Sequence, residues 1–334
     1  MGHHLSDYVD KDRLDTSTLS QAAIKAIVEA LDDPYTAYLD AEIYQLSLGN
    51  LEGKFEGIGA HVAVKDEQLT IIAPIAGSPA AKAGIKAGDK ILGINGRTTS
   101  EMSLAEAVLN IRGPKGVSVR LLILHQDETK PEEIEIVRAE IELPSVKSEM
   151  MGDIGYINIT YFSERTDEEL SSALTSITQK AATGIILDLR SNPGGLLEAV
   201  VDVASHFLKE GVVVSVVDSQ GKHTALTVKP SRVATDLPLV VLVDSYSASG
   251  SEVLAGALQD YARATIAGTK TYGKGSVCVL RRMKDGSGLN ITTARWLTPN
   301  GRLIEGEGLS PDYELELTGE DAIQWAIDCL KNNE

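Results

Sequence analysis

Apolar and polar positions follow two different periods along this chain, and the change of period divides it into three parts. Residues 15–31 carry apolar side chains at helical spacing, and Thr16 or Ser17 is positioned to cap the predicted helix. Residues 53–141 contain short apolar segments between glycine turns, which is typical of strands. Residues 145–317 alternate longer apolar runs with amphipathic segments, which predicts strands alternating with helices.

The second part is predicted to be a small domain of strands with two helices. Asn95 and Gly96 are a strong signal for a tight hairpin turn, and Gly84 is placed to end a short helix. We predict strands over residues 69–74, 90–94 and 117–124, and helices over residues 77–84 and 103–111. A small barrel with a glycine bend and no ligand would account for this pattern as well.

The third part is predicted to place helices over a sheet, because strand and helix patterns alternate through it. Predicted strands cover residues 154–159, 184–189, 212–217, 239–243, 264–268, 277–280 and 290–298, and predicted helices cover residues 166–181, 196–209, 252–258 and 320–331. The fold class is therefore predicted to be α/β, in a mixed α+β chain.

Composition excludes some classes of partner. The 334 residues are too many for one ordinary domain and suit two, and two cysteines do not form a disulfide framework. A net charge of −17 argues against binding nucleic acid or anionic lipid, because both need a basic surface. The first four residues lack an apolar signal region and are typical of an expression-tag remnant, which leaves open that an export signal or membrane anchor was removed.

The stretch from residue 243 to residue 280 carries the strongest chemical signal. An apolar run ends at Val243, a turn of small residues follows, and a helix is predicted to start near Glu252 with Ser251 as its N-cap. A serine in such a turn lies beside the unpaired amides of a helix start, where an oxyanion can be stabilised. Farther on, Lys274 stands between two glycines. A lysine beside a serine can act as its base when burial leaves some of the amine neutral.

Each fragment taken alone has a simpler interpretation. The sequence SASGS at residues 247–251 could form only a tight turn, and GKG at residues 273–275 only a hairpin. The glycines in SNPGG at residues 191–195 leave backbone amides free to face a ligand, but a strand-to-helix turn needs such glycines too. The residues alone leave these alternatives open.

Together these motifs resemble the carboxyl-terminal processing peptidases, a family of Ser-Lys proteases that carry a PDZ domain. The matching sequences are SASGSE at residues 247–252, AGALQD at 255–260, GKG at 273–275, LDLRSNPGG at 187–195, LDDPYTAYL at 31–39 and TTARWLTPNGR at 292–302. The resemblance implies Ser249 as the nucleophile and Lys274 as the base, at the separation that the family uses. It implies oxyanion donors from Gly250 and from Gly195 or Gly194.

The resemblance also implies the organisation of the chain and its surroundings. We expect an N-terminal helical segment at residues 1–50, a PDZ domain at residues 51–143, and a protease core with a C-terminal helix at residues 144–334. No metal or organic cofactor is implied. By resemblance the protein works outside the cytoplasm, in the periplasm, in the cell envelope or as a secreted enzyme.

The PDZ-like part implies the class of substrate. In such domains a peptide adds as a strand, and backbone amides of a glycine loop hold its carboxylate. Gly57, Ile58, Gly59 and Ala60 match that loop. The resemblance therefore implies an endopeptidase that engages the free carboxyl terminus or unfolded tail of a protein. Whether the chain forms a homo-oligomer stays open.

Cys278 departs from the family pattern. It stands four residues after the lysine, where the family usually has a glutamine that orients the amine, and a thiol is a weak hydrogen-bond partner. This departure is the basis of an alternative, a PDZ-bearing peptide-binding scaffold that kept the fold and lost catalysis. No histidine lies in a recognisable catalytic motif, although His206 and His223 are the candidates if Lys274 is not the base.

Arg112 is the candidate relay between the PDZ domain and the core. It follows the predicted helix 103–111, before a stiff turn, where its planar guanidinium could pair with a carboxylate or carbonyl of the core. We expect that such a contact would let peptide binding regulate the site. The alternative is an ordinary cation at the C-terminus of a helix.

Overall fold

The structure is a computed structural model that describes residues 15–65, 67–126, 128–231, 233–316 and 319–332. The predicted tag remnant, with His3 and His4, lies outside the described residues. The helices are α1 (Thr16–Glu29), α2 (Ala41–Glu52), α3 (Pro79–Lys82), α4 (Leu104–Ile111), α5 (Thr166–Gln179), α6 (Leu197–Ala204), α7 (Gly250–Asp260) and α8 (Gly319–Asn332).

The strands follow the same chain order. They are β1 (Ala37–Leu39), β2 (Lys54–Gly57), β3 (Ala60–Lys65), β4 (Gln68–Pro74), β5 (Lys90–Ile94), β6 (Arg97–Thr98), β7 (Ser118–Leu124), β8 (Glu132–Val137), β9 (Ala139–Glu142), β10 (Val146–Met151), β11 (Ile154–Ile159), β12 (Gly184–Asp188), β13 (Val212–Asp218), β14 (His223–Thr227), β15 (Leu239–Val243), β16 (Thr265–Gly268), β17 (Ser276–Arg282), β18 (Gly288–Leu297) and β19 (Tyr313–Glu314).

The N-terminal segment belongs in part to the core. Helix α1 confirms the predicted helix, but the side chain that caps it is Asp15, which accepts the Thr18 amide over 3.2 Å. A carboxylate is a strong acceptor for the unpaired amides of a first turn. Strand β1 pairs antiparallel with β18, where Tyr38 lies opposite Leu289. The residues before the PDZ-like part therefore extend a sheet of the core.

The part expected to be a PDZ domain is a sheet in the order β3-β4-β5-β7-β8, with β6 paired to β5. Ile94 lies opposite Arg97, which confirms the hairpin predicted between these strands. Helix α4 begins after Ser103, and it packs Ala107 and Ile111 into the core of this sheet. The antiparallel pair of β2 and β9 lies at the two chain ends of this part.

The core sheet has the order β10-β11-β12-β15-β16-β19. Neighbouring strands from β11 to β19 are parallel, and β10 is antiparallel to β11. The continuous apolar runs of its central strands follow from cover on both faces. In β12, Ile185 and Leu187 face the cluster that contains α5, α6 and α7, whereas Ile186 faces Ala326 and Leu330 of α8. The predicted α/β class, in a mixed chain, is confirmed.

A second sheet has the order β1-β18-β13-β14, and β17 pairs with β18 as a hairpin. Strand β14 is not predicted by the sequence, because its residues are mostly exposed and carry little apolar pattern. The helix predicted over residues 196–209 ends at Ala204 as α6. In the described ranges, none of the helices has the length and apolar character needed to cross a membrane.

One predicted domain boundary falls between two strands, and the other falls inside a helix. The boundary after residue 143 lies between β9 and β10, and the boundary after residue 50 lies inside α2. The division into three domains stays a prediction.

Candidate active site

The candidate site lies where two neighbouring strands of the core sheet end. β12 and β15 are adjacent and parallel, with Asp188 opposite Leu242. Since parallel strands end at the same edge of a sheet, the loops that follow them meet there. The loop at residues 189–196 and the loop at residues 244–249 therefore come together, and each leads into a helix.

Hydrogen bonds join these two loops into one unit. Ser247 Oγ donates to the Leu189 carbonyl over 2.9 Å. Ser251 Oγ donates to the Asn192 carbonyl over 2.9 Å, so this side chain is engaged by the neighbouring loop. Both hydroxyls are buried, and buried hydroxyls with partners hold loops in one arrangement.

The N-cap predicted at Ser251 is wrong. Helix α7 begins at Gly250, and Ser249 occupies the N-cap position with a backbone φ of 53°. Positive φ is uncommon for a residue with a side chain and persists only where the surroundings hold it. Here the Ser249 amide donates to Glu252 Oε2 over 2.8 Å. The predicted nucleophile therefore lies at the start of the helix, in a fixed backbone conformation.

Two backbone amides next to Ser249 donate no hydrogen bond to the described residues. They are the N–H groups of Gly250, at the start of α7, and of Gly195, at the end of the glycine turn. Gly194, by contrast, donates its amide to Asn192 Oδ1 over 2.8 Å. The geometry therefore favours Gly195 over Gly194 as the second candidate oxyanion donor.

Gly194 has a different role, because its backbone packs against the predicted nucleophile. Its φ is +100°, and a Cβ at this position would lie 2.7 Å from the Gly250 nitrogen and 2.8 Å from Ser249 Cβ. Any side chain at residue 194 would therefore displace the turn that carries Ser249.

Lys274 has a fixed backbone, and its amine makes no hydrogen bond to the described residues. Its N–H donates to Glu252 Oε2 over 2.9 Å, and its carbonyl accepts the Trp296 indole N–H over 3.0 Å. Its Nζ lies 5.0 Å from the centroid of the Tyr35 ring, a cation–π contact. Burial and nearby carboxylates raise the pKa of Tyr35, so the phenol under the amine stays neutral. Among the described residues, no hydrogen bond joins Lys274 Nζ to Ser249 Oγ.

Glu252 connects the two predicted catalytic residues. Its buried carboxylate accepts the amides of Ser249 and Lys274 at Oε2, and the Gly273 amide and the Thr271 hydroxyl at Oε1, over 2.6–2.9 Å. Burial raises the pKa of Glu252, although these hydrogen bonds act in the opposite direction. The sequence marks Glu252 only as part of a motif. A glutamate at the third helical position after a serine is a capping-box signal that could have identified it.

Ser249 and Lys274 line one cavity of about 540 Å³. Leu48 and Leu51 of α2 and Trp296 of β18 contribute apolar walls, and β17 forms a further side. No histidine is among the described residues that line it. Helix α2, which precedes the PDZ-like part, therefore closes part of the cavity. The sequence does not predict this contribution of α2 to the site.

Cys278 lines the same cavity, but its thiol has another neighbour. Its Sγ lies 3.7 Å from Thr292 Oγ1, and the Thr292 amide donates to Thr36 Oγ1 over 3.0 Å. The predicted lysine-orienting position therefore faces a threonine, and it makes no hydrogen bond to the Lys274 amine within the described part of the chain.

The two histidines kept as alternative bases lie elsewhere. His206 is buried, with Nε2 2.7 Å from Asp167 Oδ1 and Nδ1 2.6 Å from the Val233 carbonyl, so both of its nitrogens are engaged. His223 is exposed on β14. Across the described residues, no group of three or more histidine, cysteine or acidic side chains could hold a metal ion.

The predicted peptide loop lies at a groove of about 250 Å³ in the PDZ-like part. Ile58, Gly59 and Ala60 line this groove, whereas Gly57 ends β2 opposite Ala139. The amides of Ile58 and Gly59 donate no hydrogen bond to the described residues. Gly59 has φ +74°, and a Cβ there would collide with Ser78. Two free amides and a close approach of the backbone suit a carboxylate ligand.

Arg112 is the C-cap residue that directly follows α4, and its amide donates to the Val108 carbonyl over 2.8 Å. Its guanidinium lies 4.1 Å from the centroid of the Phe55 ring, and burial lowers the pKa of Arg112. An aromatic ring therefore occupies the position where a carboxylate or carbonyl of the core was expected. A Cβ at Gly49 of α2 would lie 3.3 Å from Arg112 Nη1, so this side chain also touches the helix that lines the cavity with Ser249 and Lys274.

Comparison with known families assigns both main parts of the chain. Residues 153–315 match the model of peptidase family S41, and residues 49–124 match the model of the PDZ domain. The first match contains the loops with Gly195, Ser249 and Lys274.

Individual relatives agree with these family matches. The carboxy-terminal processing protease CtpA of Bacillus subtilis is 40% identical over 314 residues, which cover 93% of this chain and 66% of the relative. A carboxyl-terminal-processing protease of Synechocystis is 41% identical over 305 residues, covering 88% of this chain and 70% of the relative. The chain thus spans about two thirds of the length of these relatives. The solved structure of a photosystem II D1 C-terminal processing protease is 30% identical, with a TM-score of 0.55, over 92% of this chain and 83% of that one.

Proposed function

Because this chain belongs to peptidase family S41, as one of its carboxy-terminal processing proteases, we propose that it cleaves proteins with Ser249 as the nucleophile and Lys274 as the general base. Ser249 Oγ attacks the scissile carbonyl while the neutral Lys274 amine takes the hydroxyl proton. The backbone N–H groups of Gly250 and Gly195 donate to the oxyanion. The ammonium then gives its proton to the leaving amine, and water releases the acyl group from Ser249.

One observation carries this proposal: one cavity is lined by a serine at a helix start, by a lysine, and by two glycines whose amides donate no hydrogen bond to the described residues. The Lys274 backbone is hydrogen bonded at both its N–H and its carbonyl. The amine can therefore move only by rotation of the side chain, and Ser249 lines the same cavity. We infer that the described arrangement is a resting site, which is completed when the amine turns.

We infer that the substrates are proteins that present a free carboxyl terminus or an unfolded tail. The support is the groove of about 250 Å³, in which the amides of Ile58 and Gly59 have no described acceptor. A terminal carboxylate would accept from such amides while the peptide adds as a strand. Family membership also supports a place of action outside the cytoplasm, which cell fractionation tests.

The test of the function is digestion of a tagged, unfolded protein that ends in apolar residues. We expect cleavage by the native chain and none by Ser249→Ala, because alanine keeps the backbone but lacks the attacking oxygen. Ser245→Ala is the matched control, since Ser245 is an exposed serine in the same loop, and it should cleave like the native chain.

A fluorophosphonate probe separates this function from the scaffold alternative. Labelling of Ser249 in the native chain supports the protease. If the native chain were neither labelled nor active while it still bound peptides, the scaffold would be the better description and the proposal would be wrong.

We further propose that peptide binding to the PDZ groove gates the catalytic site. Phe55 lines the groove, its ring contacts Arg112, and Arg112 lies against Gly49 of α2. The same helix supplies Leu48 and Leu51 to the wall of the catalytic cavity. A peptide that shifts the contact between Arg112 and α2 would move the wall formed by Leu48 and Leu51. This requires that the peptide binds the protein with different affinity before and after α2 moves.

The gating test uses a small chromogenic substrate, too short to reach the groove, with and without a separate peptide that ends in an apolar residue. We expect the peptide to raise the rate at least about fivefold, within the usual range of allosteric coupling. Amidation of its terminus and Arg112→Ala should each abolish the stimulation. Arg120→Ala, an exposed arginine of the same domain, is the control. Equal rates under all conditions would mean that the PDZ domain only delivers substrate.

A further inference from the structure

The predicted base has no polar partner within the described ranges that would orient it. Lys274 Nζ lies over the Tyr35 ring and donates no hydrogen bond to any described residue. Cys278, where the family usually has glutamine, has its thiol beside Thr292. To act as a base, the neutral amine must aim its lone pair at the Ser249 hydroxyl. An acceptor for one of its N–H groups would fix that direction.

Ser276 offers an unused hydroxyl in the same cavity. Its Oγ is buried and has no hydrogen-bond partner among the described residues. The residue is 2% exposed, and it lines the cavity together with Ser249 and Lys274. Buried hydroxyls are nearly always hydrogen bonded, so one without a partner needs an explanation. The missing partner is explained if a donor reaches the Ser276 hydroxyl only when the catalytic residues are in their active arrangement.

We propose that Ser276 is a positioning residue for Lys274. When the Lys274 side chain rotates from Tyr35 toward Ser249, Ser276 Oγ accepts one amine N–H and directs the lone pair to the nucleophile. Its hydroxyl would then do what the family's glutamine does at residue 278. This inference rests on the proposed Ser-Lys mechanism.

The fixed backbone of Lys274 supports this role. Because the Glu252 carboxylate and the Trp296 indole hold its N–H and its carbonyl, the amine moves only by rotation of its own side chain. Ser276 follows two residues later, at the start of β17, in a strand paired along its length with β18. Acceptor and amine therefore belong to one rigid segment, which is what orientation of a catalytic group requires.

The first test compares Ser276→Ala with the native chain on a short chromogenic substrate. We expect kcat to fall roughly tenfold to a hundredfold, as for a misplaced catalytic group, with little change in KM. The melting temperature should not fall, because the hydroxyl that is removed has no partner in the resting fold. Ser276→Thr keeps the hydroxyl and should recover most of the rate. The control is Ser287→Ala, a buried serine in the turn of the β17–β18 hairpin that bonds to Asp285.

The second test adds glutamine at residue 278. Cys278→Gln supplies the carboxamide that the family uses, so it should raise kcat far more in the Ser276→Ala chain than in the native chain. A double-mutant cycle measures this difference directly, because two groups with the same role are not additive.

Several results would overturn the inference. The first is an unchanged kcat in Ser276→Ala. The second is a raised KM with an unchanged kcat, which would indicate a contact with substrate. The third is a lower kcat together with a lower melting temperature, if Cys278→Gln does not restore the rate. Failure of the proposed function itself looks different, because Ser249→Ala would then cleave as fast as the native chain.

Discussion

Replacing Lys274 with alanine is expected to lower kcat by roughly 10²–10⁴-fold, the usual contribution of a general base. The fold should stay intact, because the contacts of this residue with Glu252 and Trp296 are made by its backbone and persist in alanine. Lys274→Arg should fail as well, because a guanidinium does not lose its proton near neutral pH. The measurements are kcat on a short chromogenic substrate and thermal unfolding of each variant.

Lys270→Ala is the matched control, since Lys270 is an exposed lysine four residues earlier. Near-native turnover by Lys274→Ala would contradict the Ser-Lys assignment. His206 would be a poor replacement, because Asp167 and the Val233 carbonyl already engage its ring.

Glu252→Gln is expected to impair both catalysis and stability. The native carboxylate accepts two hydrogen bonds at each oxygen, and each oxygen accepts at least one backbone N–H. A carboxamide has one oxygen, so its NH₂ must face a backbone N–H whichever way it is turned. An unpaired buried donor costs about 1–3 kcal/mol. The backbones of Ser249 and Lys274 would lose their common anchor, and kcat should fall by on the order of a hundredfold.

The loss of stability in Glu252→Gln is expected to depend on pH. Burial raises the pKa of Glu252 above its ordinary value of 4.5. A carboxyl whose pKa is raised by folding binds its proton more tightly in the folded chain, so its contribution to stability falls as the pH rises from 4.5 toward the folded value. Glutamine does not titrate. The difference in melting temperature between the native chain and Glu252→Gln should therefore narrow above pH 4.5.

Glu106→Gln is the matched control, because Glu106 lies at the same position of α4 but its carboxylate pairs with the exposed Arg97. It should change neither kcat nor melting temperature appreciably. A Glu252→Gln chain with native kcat and native stability would show that the carboxylate is not needed to hold the two loops.

The core strands were predictable because burial on both faces leaves an unbroken apolar run. β12 and β15 carry that signal, and both fall within one residue of the predicted bounds. β1 has only three residues, which form a strand through pairing with β18. β14 is largely exposed, so it carries little apolar pattern. Local patterns cannot identify strands that depend on such partners.

The candidate site was predictable as a set of motifs but not as an arrangement. The positions of Ser249 and Lys274 stand out from glycine and small-residue patterns, and they stay predictions as catalytic residues. The choice between Ser249 and Ser251 as N-cap depends on one positive φ and on the bond from Ser251 to Asn192, which no local pattern carries. The contact of Tyr35 with Lys274 joins residues far apart in sequence, so only the tertiary structure brings it out.

The pairing of β2 with β9 has a consequence for how this chain can be divided. Lys54 lies opposite Glu142, and the Leu143 amide donates to the Gly53 carbonyl over 2.9 Å. The PDZ-like part thus enters and leaves the core through a two-stranded neck, as a module inserted into a single loop. If the PDZ-like part were removed, a short turn could join β2 directly to β9 at little entropic cost, because these two strands are already adjacent. Truncation from the N-terminus would instead remove Tyr35 and β1 together with the module. Internal excision at the neck is therefore the cut that keeps the candidate active site whole.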